Sequence, residues 1–416
     1  MRRLGAKTGA NHIDVVIVDA GFPALLLGII CNKSCPTKTH AKPQLSNPTR
    51  VTEKVSVMPA PRTLESIRLA PKVLLHDHLD GGLRVATILE LSDQIGWTPN
   101  LPTTDPASLQ RWFTAGAEAK DLLLYLATFE HTGAVMQSEA NLERVAYEAA
   151  IDLANDGVVY AEVRFAPELH VLQGLDLEAV VEAVQAGFAR GMRDTQNRLV
   201  VNTIICAMRT AQRSLEIAKL AVRMRERDAR IVAFDIAGAE TGWPPSQHAK
   251  AFAYARANQM HITIHASEPP DLDLIDDALR QGAERIGHGV RLQADVNFAT
   301  GKLGQLATYV LERQITLEMA PTCNMQIGAV PTIADHPIGR FLRMGFRVGV
   351  NTDNRLMSNV AMSTEVYAVA EAFDLSWEEI GRLALNSLDG SFSNWSERQH
   401  LRNSIVAPAY ASLANN

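Results

Sequence analysis

Eight short apolar runs, separated by stretches with helical periodicity, constrain the fold more than any other feature. They cover residues 73–75, 159–165, 200–206, 231–236, 261–265, 285–288, 315–319 and 347–351. Their apolarity is nearly continuous rather than alternating, which suits strands buried on both faces. Helical patterns lie between them, for example at 177–192, 211–227, 247–258 and 271–281. Strand–helix alternation repeated eight times predicts an α/β fold, the (β/α)8 TIM barrel. Residues 85–157, between the first two runs, are mostly helical and are expected to form an insertion over the barrel mouth. Two further helical patterns, 364–373 and 377–386, are expected to close the barrel. The expected division is an N-terminal extension and disordered linker at 1–63, a barrel domain at 64–405 and a C-terminal tail at 406–416.

Composition permits such a domain and excludes several partners. Hydrophobic residues make up 47% of the chain, enough for a large core. The net charge of -6 leaves no surplus of Lys and Arg for nucleic acid or an anionic membrane. Cys31, Cys35, Cys206 and Cys323 form no disulfide framework, which fits a reducing compartment, and a cytoplasmic location is expected. Met1-Arg2-Arg3 followed by the apolar stretch 13–31 has the outline of a signal peptide. Asp14 and Asp19 interrupt that stretch, and Ile30 stands where a lipoprotein site needs a small residue. The segment is therefore expected to be an extension, with Met58 an alternative beginning. Residues 32–62 are rich in Pro, Thr, Ser and Lys, as a linker would be. No other run approaches the roughly 20 apolar residues of a spanning helix.

In a barrel of this kind the chemistry sits at the C-terminal ends of the strands. Four segments carrying histidines and acids fall there: His76-Asp77-His78, His265-Ala-Ser-Glu268, Gly287-His288-Gly289 and Thr352-Asp353. His76 and His78 are two residues apart on a strand, so both point to one face. An H-x-H pair alone is a weak signal. With His265 from the fifth strand and Asp353 from the eighth, it becomes three imidazoles and a carboxylate, a set that suits one Zn²⁺ with a water. Such a metal makes hydroxide available at neutral pH. His288 is then placed to take the proton or orient the attacking oxygen, and Glu268 to act as a general acid if its pKa is raised. The blander reading of each residue is a satisfied core histidine or a loop carboxylate. That reading is preferred for His131, His170, His248, His261, His336 and His400, with His336 expected at a helix start before Pro337.

Taken together, Leu75-His76-Asp77-His78-Leu79-Asp80-Gly81, Asp235-Ile-Ala-Gly238-Ala-Glu240, His265-Ala-Ser-Glu268, Ile286-Gly-His288-Gly289, Met319-Ala-Pro321-Thr-Cys-Asn324 and Asn351-Thr-Asp353 resemble the adenosine deaminase family in both content and order. The resemblance runs from about Leu64 to the C-terminal region. It implies a zinc-dependent (β/α)8 barrel that hydrolyses the 6-amino group of adenosine and 2′-deoxyadenosine, releasing ammonia. It implies that His76, His78, His265 and Asp353 hold one Zn²⁺, that Glu268 protonates purine N1, and that His288 assists the attacking oxygen. It also implies that the Gly238 backbone reaches purine N3, where a missing side chain helps, and that His78 and Asp80 lie near the ribose hydroxyls.

Asn354 stands where the family often has a second acid facing purine N7, and Ser267 where glycine is common. The fourth strand holds no lysine, so a bridged two-metal site is not expected. The H-x-E and P-C-x-x-C signature of other zinc deaminases is absent, as are phosphate-binding glycine loops. The charged run 223–230 reads as a solvated helix end. The expected partner is a small purine nucleoside. Alternative readings are a deaminase of adenine or of a 5′-modified adenosine such as aminodeoxyfutalosine, or a non-catalytic binding protein on the same scaffold. Asp80 favours a ribosyl substrate, since base-specific relatives commonly carry Glu there.

Overall fold

A computed structural model describes residues 60–415. The expectations for the first 59 residues, including a disordered extension and a signal-like stretch, lie outside the described residues.

The eight expected strands are all present: β1 (Lys72–His78), β2 (Val158–Phe165), β3 (Val200–Met208), β4 (Ile231–Ala237), β5 (His261–Ala266), β6 (Arg285–His288), β7 (Thr316–Met319) and β8 (Val348–Val350). Each pairs in parallel with the next in chain order. Closure between β8 and β1 uses little ladder. Asn351 substitutes for it: its Oδ1 accepts from the Leu75 and His76 amides at 2.9 and 3.1 Å. Beyond it, His78 N donates to Asp353 O at 2.7 Å, and Asp353 N to His76 O at 3.0 Å. The seam of the barrel is thus tied at the level of His76, His78 and Asp353. The architecture is the (β/α)8 TIM barrel.

The barrel interior departs from the aliphatic filling that near-continuous apolar runs suggest. Arg164 and Arg285, both buried, meet a ring of buried carboxylates. Arg164 reaches Asp235 at 2.5 Å and Glu318 at 2.6 Å, and Arg285 reaches Glu318 and Glu162 at 2.6 Å each. Burying these charges is costly unless each is paired, and here every one has at least one opposite partner. Outside the strands, helices such as Leu177–Asp194 and Ser214–Arg227 bury Val, Leu, Ile and Ala against the sheet.

Between β1 and β2 the chain forms helices Val85–Gln94, Pro106–Ala117, Leu122–Ala127, Phe129–Val135 and Glu139–Asn155. Ile95, Trp97, Tyr125 and Phe129 from this insertion wall the cavity at the barrel mouth. A two-stranded ribbon, Val296–Asn297 with Lys302–Leu303, follows β6 and was not anticipated. Helices Met362–Phe373 and Trp377–Gly390 close the barrel where expected. The segment read as a C-terminal tail is helical over Ala407–Asn415. Its Tyr410 is buried and donates to Pro71 O at 3.1 Å. Residues 60–63, read as the end of the linker, are also engaged: Trp377 Nε1 donates to Ala60 O at 2.7 Å, and Thr63 caps the Leu64–Leu69 helix. Among the described residues, no helix is long and apolar enough to cross a membrane.

Candidate metal centre and catalytic cavity

The C-terminal ends of β1, β5, β6 and β8 converge on one point. One donor atom from each of His76, His78, His265 and Asp353 lies within 4.8 Å of all the others. His78 Nε2 faces His265 Nε2 at 3.1 Å, and Asp353 Oδ1 lies 3.3 Å from His76 Nε2 and 3.4 Å from His78 Nε2. His76 Nε2 is buried with no hydrogen-bond partner among the described residues. Ring nitrogens aimed at one another and at a carboxylate are held together most simply by a cation between them.

The far sides of two of these rings explain why they point inward. His76 Nδ1 lies 2.9 Å from Glu318 Oε2, and His265 Nδ1 lies 2.9 Å from Asp235 Oδ2. Burial opposes ionisation of Glu318, but Arg285 and Arg164 hold its carboxyl well below the usual range. For Asp235, burial is likewise outweighed by His265 and Arg164. Glu318 therefore takes the Nδ1–H of His76 and leaves its Nε2 with a free lone pair, an outer-shell arrangement common to metal-binding histidines; Asp235 sets a negative charge beside His265 Nδ1 without hydrogen-bond geometry. The arginines inside the barrel thus serve the site: they fix the carboxylates that fix the rings. Sequence reasoning assigned no role to Glu318, Arg164 or Arg285. Their signal was present as charged residues inside otherwise apolar strand runs.

Backbone conformation aims the remaining groups. Ser267, His288 and Asp353 all have left-handed φ, at 77°, 62° and 57°. Such values are uncommon outside glycine and cluster at functional sites. Each follows or ends a strand, and Glu268, His288, Asp353 and Asn354, at or beside these turns, line the cavity. The loop after β5 is held by Glu240, whose Oε2 accepts from Ser267 N at 2.7 Å and Oε1 from Glu268 N at 3.3 Å.

Glu268 is buried, with Oε1 3.4 Å from His288 Nε2. Donor atoms of Glu268, His288 and Asp353 also fall within 4.8 Å of one another. Burial pushes the Glu268 carboxyl well above the usual carboxylate range, and the nearby charges of Glu240 and Asp353 add to the rise. Burial, with the neighbouring His76 ring, holds His288 well below the usual imidazole range. Both shifts act in the same sense: they favour the acid form of the carboxyl and the neutral form of the imidazole. Burial also raises Asp80, to about 7.

These groups open into a cavity of about 580 Å³. His78, Asp80, Gly238, His265, Glu268, His288, Asp353 and Asn354 line its floor and wall; His76 sits just behind. Gly238 has φ +100°, and a Cβ there would stand 3.0 Å from Met208 Cε, so position and space both favour glycine. The histidines expected to be ordinary divide. His131, His170, His248, His261 and His400 lie away from the centre. His336 does precede a helix, Ile338–Arg343, but its buried ring reaches Asn324, which in turn contacts His288. No local sequence pattern marked that link.

Comparison with known proteins agrees with the geometry. The sequence profile described as Adenosine deaminase matches residues 71–408. A protein named adenosine deaminase from Mycolicibacterium gilvum is 49% identical over 86% of this chain and 99% of its own length. One from Mycobacterium marinum is 47% identical over 84% and 98%. Among solved structures, an adenine deaminase from Arthrobacter aurescens has a TM-score of 0.70 at 24% identity, covering 83% of this chain and 98% of its own. A zinc-bound amidohydrolase from Burkholderia ambifaria has a TM-score of 0.72 at 22% identity, covering 86% and 98%. The solved structures share the fold. The profile spans the whole barrel, the named relatives match end to end, and this chain belongs to the adenosine deaminase family.

Proposed function

We propose that the chain is a zinc-dependent hydrolase that converts adenosine and 2′-deoxyadenosine to inosine and 2′-deoxyinosine with release of ammonia, acting in purine salvage in the cytoplasm. The observation that carries the reading is the placement of a buried Glu268 beside a cluster of three imidazoles and a carboxylate in one nucleoside-sized cavity. His76, His78, His265 and Asp353 would hold one Zn²⁺. When bound, such an ion lowers the pKa of water and supplies a nucleophile at neutral pH.

The rest belongs to the protein. Glu268 donates its proton to purine N1, which draws electron density from C6 and opens it to attack. His288 hydrogen-bonds the attacking oxygen and fixes its direction. The Gly238 amide meets N3 and the Asn354 amide meets N7, so the ring is gripped along its edges. Asp80 and His78 face the ribose. The proton of the hydroxyl added at C6 passes, by way of the Glu268 carboxylate, to the amino group; the C6–N bond breaks, ammonia leaves and the C6 carbonyl forms. Among the described residues lining the cavity there is no Lys or Arg. A 5′-phosphate would find no cationic partner there, whereas the hydroxyls of a nucleoside have Asp80.

The test is a panel of adenosine, 2′-deoxyadenosine, adenine, AMP and a bulky 5′-modified adenosine, followed by the ultraviolet change on deamination. The two nucleosides are expected to give the highest kcat/KM. A preference for adenine or for the 5′-modified compound would replace this reading with a different deaminase. Tight binding of all without turnover would make the chain a binding protein on the same scaffold.

A further inference from the structure

His288 sits at one end of a chain of buried hydrogen bonds whose direction can be deduced. At its far end, the Ile338 backbone N–H donates to His336 Nδ1 at 3.2 Å. A backbone amide can only donate, so Nδ1 of His336 carries no proton and Nε2 must carry it. Burial holds this ring well below its usual pKa, at about 3, so it is neutral. His336 Nε2 lies 3.2 Å from Asn324 Oδ1 and donates to it. This fixes the Asn324 amide: the opposite flip would set an N–H against an N–H. Asn324 Nδ2 therefore faces His288 Nδ1, at 3.1 Å, and donates to it. His288 Nδ1 is the acceptor, and the ring's single proton sits on Nε2, which faces Glu268 and the cavity. His288, Asn324 and His336 are all fully or almost fully buried, so water does not compete for these bonds.

We propose that His336 and Asn324 are positioning residues that hold His288 in its Nε2–H tautomer through this three-residue relay. His288 then presents a proton, not a lone pair, to the cavity. Resting on the deaminase reading, this makes it a hydrogen-bond donor to the attacking oxygen and to the negative charge that grows on it. Neither residue touches substrate or the ligand cluster. Their effect passes through the orientation and protonation site of one ring. A wrong tautomer is costly wherever a histidine serves one defined role.

Nitrogen NMR of the histidine-labelled wild-type holoenzyme reads the tautomer directly, with the His288 signals assigned by their loss in His288→Gln. The expected spectrum shows a protonated Nε2 and a bare Nδ1. His336→Phe keeps the ring volume and removes both hydrogen bonds. It is expected to keep its zinc, lower kcat by about 10–100-fold as loss of an outer-shell partner typically does, and leave KM little changed, with His288 no longer in a single tautomer. His336→Gln carries an amide N–H of similar reach and should recover most of kcat. Asn324→Asp accepts from both rings and should move the His288 proton to Nδ1. A wild-type His288 protonated at Nδ1 would overturn the proposal, and so would His336→Phe with unchanged kcat and tautomer. If the Phe variant does not fold, the wild-type spectrum still decides. Absence of adenosine turnover in the wild type would count against the deaminase reading alone, since the tautomer is read without substrate.

Discussion

Replacing Glu268 with Gln separates proton donation from every other task in the cavity. The two side chains are nearly isosteric, and Glu268 is not among the four clustered donors around His76. Its loop is held through backbone amides by Glu240, so the substitution leaves that anchoring in place. What is lost is a proton. Burial raises the wild-type carboxyl well above the usual range, which favours the acid form that can donate. General acid catalysis is typically worth about 10²–10⁴-fold, or about 3–5 kcal/mol of barrier at about 1.4 kcal/mol per tenfold. In Glu268→Gln, kcat should fall by at least the lower figure while KM changes far less, because most ground-state contacts lie elsewhere. The sign with pH follows from the same shift. Activity needs the protonated acid, so wild-type turnover should fall as pH rises through the raised pKa, and the residual activity of the variant should lack that limb. Stability has the same sense. The raised pKa contributes stability that is fully present below the unfolded carboxyl pKa and is lost as pH rises through the folded one. The amide has no such loss, so the gap in melting temperature between variant and wild type should move in the variant's favour at alkaline pH. The assays are steady-state kinetics, elemental analysis and thermal unfolding across pH. Near-normal kcat would mean that another group is the acid. Loss of zinc would place Glu268 in the metal shell.

Other outcomes follow from the same geometry. The wild type should hold one zinc per chain, and His265→Ala should lose both metal and activity; two tightly held ions, or none, would contradict the mononuclear site. Glu318→Gln leaves Arg164 with Asp235 and Arg285 with Glu162, so it should cost about 3 kcal/mol in unfolding, the low end for breaking a buried pair. It should also weaken metal binding about 10–100-fold by freeing His76 Nδ1; metal affinity equal to wild type in a titration would rule out the outer-shell role. A chain beginning at Met58 keeps Ala60, Arg62 and Thr63, which contact the closing helices, and should fold and retain most activity. Loss of turnover with metal still bound would show that the first 57 residues contribute to the site.

The strand order and the cavity-facing residues were legible because both depend on local pattern. A strand buried on two faces must be apolar for most of its length, and a residue at its C-terminal end in this fold faces the mouth. His76, His78, His265, Glu268, His288 and Asp353 could therefore be placed from their positions alone. The buried ion network could not. Glu318, Arg164 and Arg285 are single charged residues whose partners lie on other strands, and only closure of the barrel brings them together. His336 is harder still, because its meaning rests on Asn324, twelve residues earlier, and on His288, at the end of β6. The ribbon at Val296–Asn297 is too short to leave a periodic signal. The Ala407–Asn415 helix was read as a tail because its own pattern is weak; docking of Tyr410 under Pro71 supplies what the local sequence lacks.

Deamination in heavy-oxygen water decides the central claim. Purified, zinc-loaded protein should convert adenosine to inosine that carries the heavy oxygen at C6, with one ammonia released per inosine formed. Release of free adenine, an inosine without the label, or no product under conditions where zinc is bound would contradict hydrolytic attack at C6 by this cavity.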